Sequence, residues 1–208
     1  MKFFAKVLFG LLLIPALSIS VKSIDLDDYT WRKGKIVLMN GTSLTGKLAY
    51  DLKMDIIKID IDGKVKAFPP LKVRNFSYYD PHYRVKRQFF ALPYQNNLKY
   101  NVYRFFEVIY EGNVALLSRT EKINKDAVSF ASDIFPRPTK EPEMVKIDHF
   151  YLIFPDGKVH QLTGEDKQIY KLLGHKSKLR KYIKKHDLSL NRRIDLVKLM
   201  YFHEEIVS

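Results

Sequence analysis

The chain of 208 residues contains no cysteine. That excludes a disulfide framework, a thiolate zinc site and a cysteine nucleophile. Equally missing are a Gly-x-Ser-x-Gly elbow and a glycine-rich phosphate loop followed by Lys and Ser or Thr. Two common routes to acyl or phosphoryl transfer therefore have no support in the sequence. No repeat recurs at a fixed period, and no low-complexity tract interrupts the chain. No uninterrupted apolar stretch reaches the ~20 residues that a membrane-spanning helix requires.

What is present is the composition of a folded protein, 46% hydrophobic and 28% charged, which speaks against wholesale disorder, collagen-like repeats or a multi-span membrane protein. Basic residues outnumber acidic ones, 36 to 23, for a net charge of +13. Lys2 and Lys6 precede an apolar run, Val7 to Ile14, broken only by Gly10; Pro15 interrupts it, and Ser18 and Ser20 are small residues at the −3 and −1 positions of a cut after Ser20. This pattern predicts a signal peptide over residues 1–20 and a periplasmic or secreted protein with no transmembrane segment after cleavage. The alternative is an uncleaved anchor. No cysteine follows the apolar run, which excludes lipid attachment through a processed cysteine. Loss of Lys2 and Lys6 would lower the net charge from +13 to +11. The 188 residues that remain are enough to bury roughly 70% of the surface of the unfolded chain, so packing alone suffices for stability.

From Lys33 to about Leu162 strand patterns follow one another. Ile36–Met39 runs into Asn40-Gly41, the dipeptide that most readily takes positive φ at a tight hairpin, and Leu44, Gly46, Leu48 and Tyr50 then share a face. Ile57–Ile61 alternates with period two. At Asp62-Gly63 a two-residue loop would set Ile59 opposite Lys66, whereas one more residue sets Ile61 opposite Val65; the expectation is a three-residue loop with a bulge. Strand patterns continue at Val73–Tyr79, Arg84–Leu92, Tyr103–Tyr110 and Val114–Ser118. Between Thr120 and Lys146 the period fades and Pro136, Pro138 and Pro142 cluster, which predicts an irregular connection with one short helix near Lys125–Ser132. Phe150–Phe154 and Lys158–Leu162 flank Pro155-Asp156-Gly157 as another hairpin. After Gly164 the period turns helical: Glu165–Leu173 with Gly174 as cap, Lys178–Lys185, and a last helix after a cap at Ser189 or Asn191. On that last helix Ile194, Val197 and Tyr201 form one stripe and Leu196, Met200 and His203 its neighbour. The expected architecture is α+β: a mostly antiparallel sheet or partly open barrel over residues 21–146, then a hairpin and about three helices over 147–208.

The segment from Gly34 to Leu48, with an apolar strand, a turn glycine and a second glycine that bends the sheet, is similar to the opening hairpin of SH3-like and Sm-like small barrels. It lacks a matching RNA-contact motif downstream, so the likeness transfers no RNA binding. More broadly the chain resembles exported proteins of Bacteroidota bacteria. The features that carry this are the opening hairpin, an aromatic sheet ending in Phe105-Phe106-Glu107-Val108, the hairpin Tyr151–Lys158, and Lys178–His186 before a final helix. That family has no assigned activity, and the resemblance implies no catalytic residue.

Candidate chemistry is correspondingly sparse. The six histidines, His82, His149, His160, His175, His186 and His203, lack metal-ligand spacing; His203-Glu204-Glu205 opens like a zinc-protease helix but has no histidine at i+4. No metal and no cofactor is expected. Glu107, Glu111, Asp148 and Asp156 are acids that a fold could pair, the arrangement a glycosidase requires. Between Phe76 and Tyr110, 12 of 35 residues are aromatic, about 34% against 13% for the chain. The plainer reading is that aromatics pack a pleated sheet. The functional one is a sugar- or peptide-stacking surface that uses Tyr78, Tyr79, Tyr83, Tyr94, Tyr100 and Tyr103. Neighbouring aromatics such as Tyr78-Tyr79, Phe89-Phe90 and Phe105-Phe106 must point to opposite faces, so either both faces are covered or one row is exposed. Finally, Lys176, Lys178, Arg180, Lys181, Lys184 and Lys185 fall within ten residues with no acid among them. The plainer reading is a solvated helix face. In an exported protein nucleic acid is not the partner, and an anionic envelope lipid or polysaccharide fits the charge. The expected function is an exported, non-catalytic binding or envelope-associated protein, which could also engage another envelope protein. The alternatives are a carbohydrate-active hydrolase with paired carboxylates and a structural assembly subunit.

Overall fold

The structure, a computed structural model, describes residues 30–95, 100–124 and 144–208. The expected signal peptide, the short helix near 125–132 and the clustered prolines lie outside the described residues. Among those residues ten strands form one antiparallel sheet: β1 (Arg32–Leu38), β2 (Ser43–Asp51), β3 (Ile56–Ile61), β4 (Lys64–Phe68), β5 (Val73–Asp80), β6 (Val85–Gln95), β7 (Asn101–Tyr110), β8 (Ala115–Asn124), β9 (Met144–Ile153) and β10 (Val159–Gln161). The strand order is β10-β9-β8-β7-β6-β5-β1-β2-β3-β4. The chain thus lays down a four-strand meander, returns through a single 3-10 turn at Pro70–Lys72, and pairs β5 with the free side of β1 before a second meander. Three helices follow: α1 (Asp166–Leu173), α2 (Lys176–Lys185) and α3 (Arg193–Val207). The fold is therefore α+β with its helices at the C-terminus. β4 and β10 are the edges and do not pair with each other, so the sheet is open rather than closed into a barrel. The boundary expected between residues 146 and 147 falls inside β9, which belongs to the same sheet as β1.

The sheet curls twice, in opposite senses. The rings of Tyr50 on β2 and Phe105 on β7 approach to 5.7 Å although four strand steps separate them, which would be about 19 Å in a flat sheet. Around that curl pack Ile36, Leu48, Ile59, Phe76, Phe89 and Phe105. On the other face Tyr94 of β6 donates to the Gln161 side chain of β10 at 3.1 Å, again four steps away, and Phe106, Leu117 and Tyr151 fill the second curl. The adjacent pair Phe105-Phe106 is buried on both sides for this reason. The three helices cover the far end of the first face, where Leu116 and Leu152 meet Ile169, Leu179, Leu196 and Leu199.

Local chemistry explains most element ends, and two hairpins differ from expectation. Asn40-Gly41 is part of a three-residue loop: Gly41 donates to the Leu38 carbonyl at 2.9 Å, Leu38 donates to Thr42 at 2.9 Å, and Gly41 alone has positive φ, 87°. Asp62 and Gly63 both take positive φ, 51° and 79°, in a two-residue loop that sets Ile59 opposite Lys66. The mixed faces are tolerated because β4 is an edge strand that only Phe68 ties back to the core, leaving Lys64, Val65 and Lys66 exposed. At Pro155-Asp156-Gly157 the turn is as expected, with Gly157 at φ 80°. Gly174 (φ 71°) ends α1. On α3 the Leu196, Met200 and His203 stripe is buried together with Leu199, whereas Ile194 and Tyr201 are exposed.

Candidate functional site

α2 is amphipathic in a strict sense. Leu179 and Ile183 are buried among the helices, and the Tyr182 ring stacks on Phe202 of α3 at 4.0 Å, which fixes the rotation of α2 about its axis. Lys176, Lys178, Arg180, Lys181, Lys184 and Lys185 are consequently all exposed, and four of them border an open groove of about 460 Å³. None of the six takes part in an ion pair among the described residues. The arrangement is electrostatically unfavourable in isolation. Lys176, Arg180 and Lys184 stand i, i+4 from one another, as do Lys181 and Lys185, and each like-charge pair costs about 0.2–0.5 kcal/mol. Lys176 and Lys178 also lie in the first turn, where the helix dipole disfavours cations.

The arginines of the sheet are employed differently. Glu107 on β7 is buried beneath the start of α3. It accepts two bonds from Arg87 on β6, Nε to Oε1 at 2.8 Å and Nη2 to Oε2 at 2.6 Å, and a further one from Arg193. Ser118 on β8 adds its hydroxyl at 3.3 Å. Arg87 continues to buried Asp80 at 3.7 Å, which Arg32 approaches at 3.8 Å. Burial raises the Glu107 pKa, but the hydrogen bond from Arg87 and the charge of Arg193 outweigh it and hold the carboxyl below its ordinary value. The side chains join the first curl to the helical layer. A cleft of about 650 Å³ opens beside them between Val85, Ile109, Ile194 and Val197.

The six tyrosines do not form one surface. Tyr78 is in the core, stacked against Phe76 and Phe89 and flanked by the guanidinium of Arg32 at 5.2 Å, so it presents no face to a partner. Tyr79, its neighbour, is exposed on the opposite face of β5. Tyr83 is exposed in the turn after β5, and Tyr100 is exposed ahead of β7. Tyr103 stands on the Phe105 face of β7. Strand alternation has separated residues that composition alone groups together.

Tyr94 has a different setting. It lines a small polar cleft of about 280 Å³ in the second curl, on the face away from the helices, with Arg104 (β7), Arg119 and Glu121 (β8), His149 and Tyr151 (β9) and Gln161 (β10). Arg119 donates from Nε to Glu121 at 3.1 Å, and Glu121 meets His149 Nε2 at 3.6 Å. Behind the cleft Asp55, buried in the β2–β3 turn at φ 55°, accepts from Arg104 and Arg119 at 3.4 Å each and from the Tyr50 hydroxyl at 2.6 Å. Burial, followed by Asp55, pushes the Tyr50 phenol well up; burial, followed by Tyr94, pushes that of Tyr151 up. Both stay protonated donors at neutral pH. Apart from Tyr94, no residue of this cleft stands out as a site residue in the sequence. The available signal is a strand face that begins apolar and ends charged, as in Leu117, Arg119, Glu121 and Val108, Phe106, Arg104.

The acids named from sequence are dispersed. Glu107 is in the ion network, Glu111 is exposed after β7, Asp148 pairs with Thr120 on the sheet face, and Asp156 with Lys158 in the last hairpin turn. Four clefts have been described or border these acids, including one of about 600 Å³ beside Asp148, and none is lined by two carboxylates. Among the described residues no group of three or more His, Asp or Glu is placed to hold a metal ion, and no helix is long and apolar enough to cross a membrane. Comparison with protein-family models, curated proteins and solved structures gives no match to this chain.

Proposed function

We propose that the protein is an exported, non-catalytic binding protein of the cell envelope that docks on an anionic surface through α2. The observation that carries this reading is the row of six exposed cations on a rotationally fixed helix, self-repelling and without acidic partners among the described residues. Such charge is relieved by contact with anions outside the molecule. Lipid headgroups of a membrane leaflet are the first choice of surface, because long lysine side chains adapt to a fluid plane of charge. Acidic polysaccharide supplies the same charge from another source. The leader-like pattern at Lys2 to Ser20 supports export, and export separates the protein from nucleic acid.

The experiment is co-sedimentation of the purified protein with vesicles of phosphatidylcholine, alone or mixed with phosphatidylglycerol, and with alginate beads as the polysaccharide arm. Binding to the anionic vesicles that falls with salt and is lost in Lys181→Glu/Lys184→Glu supports the reading. Equal binding to neutral vesicles, or an unaffected double variant, removes it. Alginate binding without vesicle binding reassigns the surface to polysaccharide. Intact Met1 on protein recovered from the cell interior would end the case for export.

A further inference from the structure

We infer that the cleft of Tyr94, Arg104, Arg119, Glu121, His149, Tyr151 and Gln161 binds a single neutral saccharide unit. The cleft lies on the face of the sheet opposite the helices, so the inference is independent of the α2 surface. Its volume, about 280 Å³, sits just below the ~300–1,000 Å³ of drug-sized ligand sites and suits one small polar molecule. Every residue of its lining carries a polar group, and the hydrogen-bonding groups are of both kinds. Guanidiniums of Arg104 and Arg119 donate, Glu121 and the Tyr94 oxygen, whose proton goes to Gln161, accept, the Gln161 amide nitrogen donates, and His149 can do either.

Charge narrows the ligand class. Arg104 and Arg119 are matched by Asp55 and Glu121, so the site as a whole is neutral. A phosphate or polyanion would bring net negative charge against Glu121; an ammonium would meet two guanidiniums. Adjacent hydroxyls on a sugar ring donate and accept together, and planar Arg, Glu and Gln side chains match such pairs with two bonds each. The C–H face of the sugar requires an apolar wall; the partly exposed Tyr94 ring provides one, held from behind by the buried Tyr151 ring 5.7 Å away.

The groups are also held in place before any ligand arrives. Arg119 is fixed between Asp55 and Glu121, Tyr94 is tied to Gln161, and its ring rests 5.9 Å from Phe106 in the floor of the curl. Such preorganisation lowers the ordering cost of binding. Asp55 belongs to the other curl and touches no ligand; it is a positioning residue for the two arginines.

The test is a glycan array probed with the intact protein, followed by NMR titration with glucose, galactose, mannose, N-acetylglucosamine, glucuronic acid and inorganic phosphate. The expected result is binding of at least one neutral sugar, weakened about tenfold or more by Glu121→Gln and by Arg104→Gln and unchanged in Lys181→Glu/Lys184→Glu. Glu121 and Arg104 are partly exposed, so both variants should keep the native circular dichroism spectrum; Tyr94→Ala adds a third probe. The inference is overturned by an array without a neutral glycan ligand, by binding confined to glucuronic acid or phosphate, or by neutral-sugar affinity that Glu121→Gln and Arg104→Gln leave intact. Because vesicle binding and sugar binding use different residues, failure of one is read separately from failure of the other.

Discussion

Glu107 and His203 are buried groups whose protonation the fold resists, each for its own reason. Glu107 is ionised and surrounded by Arg87, Arg193 and Ser118. Glu107→Gln leaves Arg193 at the start of α3 without its carboxylate and Arg87 with Asp80 alone, and breaking a buried pair typically costs about 3–5 kcal/mol. With Arg87 and Arg193 partly exposed, the lower end is expected, read as a reduced urea midpoint. His203 is neutral: Nε2 lies 3.2 Å from the Leu173 carbonyl, which can only accept, so Nε2 carries the proton and Nδ1 faces no partner. Burial lowers its pKa, and nearby His175 adds to the effect. In both residues the folded state binds its proton more weakly than the unfolded chain, so stability is greatest at high pH and declines as pH falls. The His203 share is lost as pH drops below 6.5, its ordinary value, and the Glu107 share below 4.5. Denaturation curves across pH should show two declines, and His203→Leu should abolish the upper one only.

At the scale of the element, glycine placement in the first meander has consequences that can be measured. Gly34 on β1 stands opposite Gly46 on β2, where the sheet begins to curl. A Cβ on Gly34 would collide with the Ser77 carbonyl oxygen and the Leu48 side chain; one on Gly46 would collide with the Asp60 carbonyl oxygen. Gly34→Ala is expected to cost about 3 kcal/mol, the upper end for overpacking, because a backbone oxygen cannot swing aside. Gly41→Ala meets open space and bears only the left-handed backbone penalty of about 1–2 kcal/mol. A urea midpoint that falls further for Gly41→Ala than for Gly34→Ala would contradict this account. The same meander shows why hairpin geometry was only partly legible. Asn40-Gly41 and Asp62-Gly63 both announce a turn, but the loop length at each is set by how the flanking strands enter the curl. Face matching at Asp62-Gly63 favoured a longer loop, and it failed because β4, as an edge, does not have to bury its alternate residues.

For the whole molecule, charge is divided between two regimes. Arg32, Arg87, Arg119 and Arg193 are engaged with acids inside the fold, while the cations of α2 stand in solvent. Exposed charges more than a Debye length apart, about 8 Å at physiological salt, are largely screened, whereas buried pairs are screened much less. Raising salt from low to well above physiological should therefore abolish adhesion to anionic vesicles while moving the thermal midpoint little. Parallel loss of both would mean that the α2 cations support the fold rather than a partner.

Much about this protein was determined locally. Alternation marked the strands, Gly157 and Gly174 marked a turn and a helix end, and the amphipathic spacing of Leu179, Tyr182 and Ile183 foretold which side of α2 would carry its charge. These features depend on a few neighbouring residues, and the backbone obeys them wherever the segment lies. The tertiary structure alone decided the rest. Whether Tyr78 or Tyr79 is buried depends on which face the sheet curls around. Asp55 reaches Arg104 and Arg119 across 49 and 64 residues only because two opposite curls bring the β2–β3 turn beside β7 and β8. No short-range pattern encodes such curvature: it results from accumulated strand twist and from cores packing on both faces of one sheet.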